Sequence, residues 1–243
     1  MSKPEEIKTL FAKTGGKFLT PAPALAKKLK GIKAFIFDWD GVFNNAQKDE
    51  KGTSLFNEVD SMGTNLLRFA YWLNTDKLPL TAVISGERNS AAFYWSSREH
   101  FTSCYYKMAN KTEALQHFCS EHNIKPSEIA FVFDDVLDLS VAKVAGVRIF
   151  IARKANPLFN NYVVKNKLAD YITGNESGNF AVREACELMI GLQGIYDKVV
   201  TERMNFSPSY KKYIDLRNLM TTSFFTKQND SVVEANPSAN PKS

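Results

Sequence analysis

Apolar residues gather in four short, nearly unbroken runs at Lys33–Phe37, Thr81–Ile84, Ala130–Phe133 and Val147–Ala152. Runs of this length without polar alternation predict strands buried on both faces. Between them, residues 61–74, 89–99 and 111–123 carry apolar side chains at helical spacing, and Val136–Ala145 predicts a short helix closed by Gly146. Strands alternating with helices predict an α/β fold: a parallel sheet covered by helices on both faces. Upstream, 4–14 and 22–30 read as helices separated by the breaker Pro21-Ala22-Pro23. The segment 42–59 has two extended flanks around Lys48–Gly52 and predicts a β-hairpin. Ala181–Arg203 predicts one long amphipathic helix with Asn179 as its cap. From Thr221 onward, Ser, Thr, Asn and Pro predict disorder. The chain thus divides into an N-terminal helical extension (1–30), a central α/β domain (31–204) and a C-terminal extension (205–243).

Composition narrows this little. The 243 residues are 44% hydrophobic and 23% charged, enough for one well-buried core. No apolar run approaches the roughly 18 residues of a membrane span, and the N-terminus lacks a secretory h-region. Cys104, Cys119 and Cys186 are scattered and odd in number, which points to reduced thiols and a cytoplasmic address. The net charge of +5 and the cluster Lys27, Lys28, Lys30 and Lys33 describe a solvated helix end rather than a nucleic-acid surface. His100, His117 and His122 are not spaced as metal ligands.

The strand ends carry the chemistry. The first run ends in Asp38-Trp39-Asp40-Gly41, the second in Ser85-Gly86, and the third in Asp134-Asp135 with Asp138 beyond. Lys111 opens the helix before the third run. Parallel strands bring such ends to one edge, where three carboxylates repel unless a cation sits among them. Oxygen ligands without spaced His or Cys favour Mg²⁺ over zinc. The set fits phosphoryl transfer through an aspartyl-phosphate. Asp38 is the natural nucleophile. Asp40, two residues on, protonates the leaving alkoxide and then activates water. Lys111 and Ser85 stabilise the transferring group, and Gly41 turns tightly beside it.

DWDG, ISG, a lone lysine and FDDVLD, in this order, resemble the haloacid dehalogenase (HAD) superfamily of phosphotransferases. Phe35–Asn45, Phe56-Asn57 with Asp60 and Gly63, Asn110-Lys111, Asn156-Pro157-Leu158, Ala169–Thr173 and Asn179–Leu188 resemble the 3-deoxy-D-manno-octulosonate 8-phosphate (KDO 8-phosphate) phosphatase type. The resemblance spans roughly residues 24–195. It implies a Rossmann-like core without a large cap domain, a hairpin that helps build a homotetramer, and a small phosphate monoester as substrate. Asp38, Asp134 and the Asp40 carbonyl then hold Mg²⁺, and Ser85, Gly86, Lys111 and Arg88 bind substrate. Asp135 stands near metal-held water and Asp138 orients Lys111.

Three positions depart from the family pattern: Phe133 where glycine is usual, Val59-Asp60-Ser61 where an Arg-Asp-Gly stands, and Arg88 one residue later than the family's arginine. The first bears on turnover but leaves every reactive group in place; the other two bear on specificity and argue against KDO 8-phosphate itself as the substrate. A receiver-type signalling domain uses similar groups, but its acidic pair comes first in the chain and its lone Asp later. A HAD-like scaffold that binds without turnover is the alternative from another functional class.

Overall fold

The structure is a computed structural model that describes residues 3–237. It opens with α1 (Pro4–Lys13), β1 (Lys17–Phe18), α2 (Ala22–Leu29) and β2 (Ala34–Phe37). Then come α3 (Glu58–Thr75), β3 (Leu80–Ile84), α4 (Ser90–Arg98), β4 (Ser103–Tyr105) and α5 (Lys111–Glu121). β5 (Ile129–Phe133), α6 (Leu139–Ala142), β6 (Val147–Phe150), α7 (Pro157–Lys165) and β7 (Tyr171–Ile172) follow. The chain closes with α8 (Ala181–Leu192), α9 (Tyr196–Met204), α10 (Pro208–Asn218), β8 (Ser223–Gln228) and β9 (Ser231–Glu234).

All strands join one sheet in the order β1-β7-β6-β5-β2-β3-β4-β8-β9. The pairings from β7 through β8 are parallel, and β1 and β9 add antiparallel edges. The central strands are buried on both faces, as their unbroken apolar runs predict. Phe35, Phe37, Val83 and Val132 face a core shared with α1–α4 and α8–α10. Ile36, Ile84, Phe131 and Phe133 face a second core under α5–α7. Phe133, out of keeping with the family pattern, thus belongs to packing. Its ring is fully buried, lies parallel to Phe131 at 5.6 Å and meets Phe150 at 5.3 Å. That burial contributes about 2–3 kcal/mol.

Four expectations are corrected. Residues 42–57 form no hairpin; the segment is a loop whose turn is built by Asp49, which accepts from the amides of Lys51 and Thr53. Its flanks turn polar groups inward instead of pairing: Asn44 Oδ1 accepts from the Gly41 and Ala46 amides. The single long C-terminal helix is two helices, because Gly194 adopts φ +73° after α8 and ends it. Asn179 does not cap α8; Phe180 occupies that place, and the Arg183 amide is met instead by Asp60 Oδ1 from α3 at 2.8 Å. The C-terminal segment is ordered through β8 and β9, while its last residues, 238–243, lie outside the described ones. Phe225 stacks on Tyr105 at 5.0 Å and Phe224 meets Phe93 edge-on at 5.7 Å, and Asn229-Asp230, both at positive φ, close the β8–β9 hairpin.

Candidate active site

The register of the sheet sets three strand ends level. Phe37 pairs with Val83 on one side and Val132 on the other, so Asp38, Ser85 and Asp134 emerge at the same edge. The Asp38 amide still donates to the Val132 carbonyl, which holds the residue in the frame of the sheet. Lys111 arrives as the first residue of α5, whose N-terminus is capped by the Asn110 side chain on the Thr112 amide.

Lys111 Nζ donates to Asp38 Oδ1 at 2.5 Å and to Asp138 Oδ1 at 2.6 Å, with all three side chains buried. Asp138 Oδ2 accepts from the amides of Asp134 and Asp135, so both its oxygens are committed to holding the lysine and the loop. Asp134 differs. Its Oδ2 is engaged by the Arg153 guanidinium, and its buried Oδ1 has no hydrogen-bond partner. Oxygens of Asp38, Asp134 and Asp138 lie within 4.8 Å of one another.

The electrostatics follow from that crowding. Burial pushes the Asp134 carboxyl up to about 9, with the charges of Asp38 and Asp138 adding to the shift and Arg153 opposing it. Burial likewise raises Asp38 to about 6 against the pull of Lys111. For Lys111, burial works downward, but Asp38 and Asp138 outweigh it and hold the ammonium above its ordinary range. An orphaned carboxylate oxygen beside a second buried carboxylate is a place for a hard divalent cation, and the residues present fit one.

Ser85 is buried at the end of β3, its hydroxyl accepting from the Glu87 amide at 3.3 Å, and Gly86 follows it at the same edge. Asp135 is exposed and caps the turn that follows by accepting from the Val136 amide. Arg88 is engaged elsewhere. Its guanidinium donates to the Pro237 carbonyl at 2.7 Å and lies over Phe93, because β9 and the chain beyond it run past that position. Trp39 points into the core, fully buried against Phe43 and Trp95.

Asp40 has partners of its own, distinct from Lys111 and Asp138. Its Oδ2 accepts from Lys48 at 3.0 Å, and its Oδ1 accepts from the Ser54 hydroxyl. Behind them, Asn89 Nδ2 donates to Ser54 Oγ at 2.7 Å. Arg153, Lys48, Ser54 and Asn89 escape the sequence reading. Arg153 follows β6 at the same edge as the acids, so strand-end position could have found it; the other three depend on how a loop folds. Gly41 is fixed by this neighbourhood: at φ +87°, a Cβ there would meet the Arg153 guanidinium and the Asp134 carboxylate.

No family model matches the chain. It is 28% identical over 181 residues to the KDO 8-phosphate phosphatase KdsC of Salmonella typhimurium, covering 73% of this chain and 89% of that protein. KdsC of Escherichia coli K12 is 29% identical over 175 residues, covering 70% and 86%. Among solved structures, the KDO 8-phosphate phosphatase of Moraxella catarrhalis, bound to magnesium, phosphate and KDO, superposes with a TM-score of 0.60 at 25% identity, over 73% of this chain and 97% of that one. A putative HAD-superfamily hydrolase of subfamily III A from Legionella pneumophila gives 0.60 at 27%, over 74% and 94%. The likeness to HAD phosphatases read from the motifs therefore holds in both sequence and fold.

Proposed function

We propose that this chain, which resembles the KDO 8-phosphate phosphatases over roughly residues 24–195, hydrolyses a small sugar or sugar-acid phosphate through a phosphorylated Asp38. The observation that carries this reading is the convergence of Asp38 and Asp134 beside Lys111 at level strand ends. Asp38 and Asp134, with the Asp40 carbonyl, would hold Mg²⁺, which when bound neutralises charge on the phosphoryl group.

The chain's own groups do the rest. Lys111 keeps the second oxygen of its ion pair on Asp138, so its ammonium is fixed where the phosphoryl oxygens gather. Asp38 attacks phosphorus as the bond to the leaving oxygen breaks, and Asp40 supplies the proton that oxygen needs. A water then gives its proton back to Asp40 as it attacks the acyl phosphate, releasing phosphate and restoring Asp38. Ser85 closes the phosphoryl pocket from β3. Arg88, held by Pro237, has no part in this scheme, and Val59 stands where the family has an arginine, so the sugar is read by other groups. The N-terminal helices and the C-terminal strands extend the catalytic unit; assembly as a homotetramer follows the resemblance, and a cytoplasmic address follows the three scattered cysteines. No helix among the described residues is long and apolar enough to cross a membrane.

A phosphate-release screen over KDO 8-phosphate, nine-carbon acid 9-phosphates and hexose phosphates tests the proposal. Turnover should require Mg²⁺, stop with chelator and vanish in Asp38→Asn. Equal behaviour of wild type and Asp38→Asn on every substrate contradicts it. Tight sugar-phosphate binding without hydrolysis would support the scaffold alternative.

A further inference from the structure

We propose that Ser54 and Asn89 are positioning residues that fix which oxygen of Asp40 carries the proton, an inference that rests on the phosphatase reading above. Asn89 caps α4, its Oδ1 accepting from the amides of Ala91 at 3.0 Å and Ala92 at 3.3 Å. Two backbone donors on that oxygen leave the side-chain amide one orientation, with Nδ2 toward Ser54 Oγ at 2.7 Å. An amide nitrogen only donates, so Ser54 Oγ is the acceptor of that bond, and its own proton is directed to Asp40 Oδ1. Both Ser54 and Asn89 are completely buried, and water does not compete for these bonds.

The loop that brings Ser54 here is pinned at two further points. Trp39 Nε1 donates to the Ser54 carbonyl at 3.3 Å, and the hydroxyls of Thr53 and Ser90 meet at 2.8 Å. The chain of donors therefore runs one way, from the α4 amides through Asn89 and Ser54 to Asp40. It holds Oδ1 as a permanent acceptor; Oδ2 accepts only from Lys48, a part-exposed ammonium on a flexible stem that can yield, so Oδ2 is the oxygen that gives and takes the proton. Neither Ser54 nor Asn89 touches the reacting atoms; both act through Asp40.

The test separates proton delivery from general damage. A sugar phosphate leaves as an alkoxide and needs the proton, whereas p-nitrophenolate leaves without it. The ratio kcat/KM, which reports the first phosphoryl transfer, is measured for the best sugar phosphate of the screen and for p-nitrophenyl phosphate. Ser54→Ala should lower it at least about tenfold on the sugar phosphate, within the range a general acid contributes. On p-nitrophenyl phosphate it should fall by no more than about threefold, since that step draws on no general acid. Asn89→Asp keeps the helix cap but removes the donor, and should show the same selective loss. Ser54→Thr keeps the hydroxyl and should restore the wild-type ratio between substrates. Equal losses on both substrates in Ser54→Ala and Asn89→Asp, or no loss in either, overturn the proposal. A wild-type protein that hydrolyses neither substrate overturns the phosphatase reading itself, and this proposal with it.

Discussion

The two acids of the Asp38-Trp39-Asp40 motif sit one residue apart and live in different physical worlds. Asp38 is buried at a strand end, held by the sheet and paired with a buried lysine that is itself held by Asp138. Asp40 is partly exposed, and its partners, Lys48 and Ser54, come from a loop without ladder hydrogen bonds. The first half is a fixed frame with strong, mutually dependent charges. The second is assembled by side chains that the loop carries in. In the proposed reaction the nucleophile and its counter-charge must not move, whereas the proton-transferring group has to exchange with solvent and substrate, and the division matches those needs.

The largest effect is expected at the frame. Asp38→Asn removes the proposed nucleophile and should lower turnover by about 10⁴-fold or more, measured as phosphate release under saturating substrate. Next is Lys111→Met. It leaves the buried carboxylates of Asp38 and Asp138 without their shared cation and should cost about 3–5 kcal/mol in urea denaturation at neutral pH. If that variant is as stable as wild type, the frame is not held by this ion pair.

A third test lies where the loop rejoins the frame. Asp60 bridges the first turns of α3 and α8, accepting from Asn57 Nδ2 and the Arg183 amide, and burial raises its carboxyl to about 6. Its folded pKa lies above the unfolded one, so the folded state favours the neutral form. Its contribution to stability is whole below about pH 4 and is lost as pH rises through about 6. Relative to Asp60→Asn, wild type should lose on the order of 2 kcal/mol between pH 4.5 and 7.5, read from urea midpoints at those two values, set on either side of about 6. A pH-independent difference between the two would show that Asp60 ionises freely. The smallest effect is expected on the loop side: Lys48→Met breaks a partly exposed pair and should change stability by less than about 1 kcal/mol.

The same contrast explains what the sequence discloses. Phe35–Phe37, Val83-Ile84 and Phe131–Phe133 are apolar on both faces, so their ends, and the acids there, follow from the run length and the parallel topology. Lys111 is legible because it opens a helix whose spacing is plain. Ser54, Lys48 and Asn89 are not, because which side chains a loop turns inward depends on packing against α4 and Trp39 rather than on any period. The break at Gly194 carries a helix-stop signal that the apolar spacing across 181–203 overrides. The C-terminal strands hide for another reason: Phe224 and Phe225 sit among polar residues and find their burial against Phe93, Tyr105 and His117, far away in the chain.

In the proposed reaction a carboxylate oxygen of Asp38 takes the phosphoryl group. Rapid quenching of a turnover mixture with borohydride reduces an acyl phosphate to an alcohol, and peptide mass spectrometry locates the change. The prediction is homoserine at position 38 in wild type, dependent on substrate and Mg²⁺. Steady phosphate release with aspartate intact at position 38, or with the reduced residue found at another position, contradicts it.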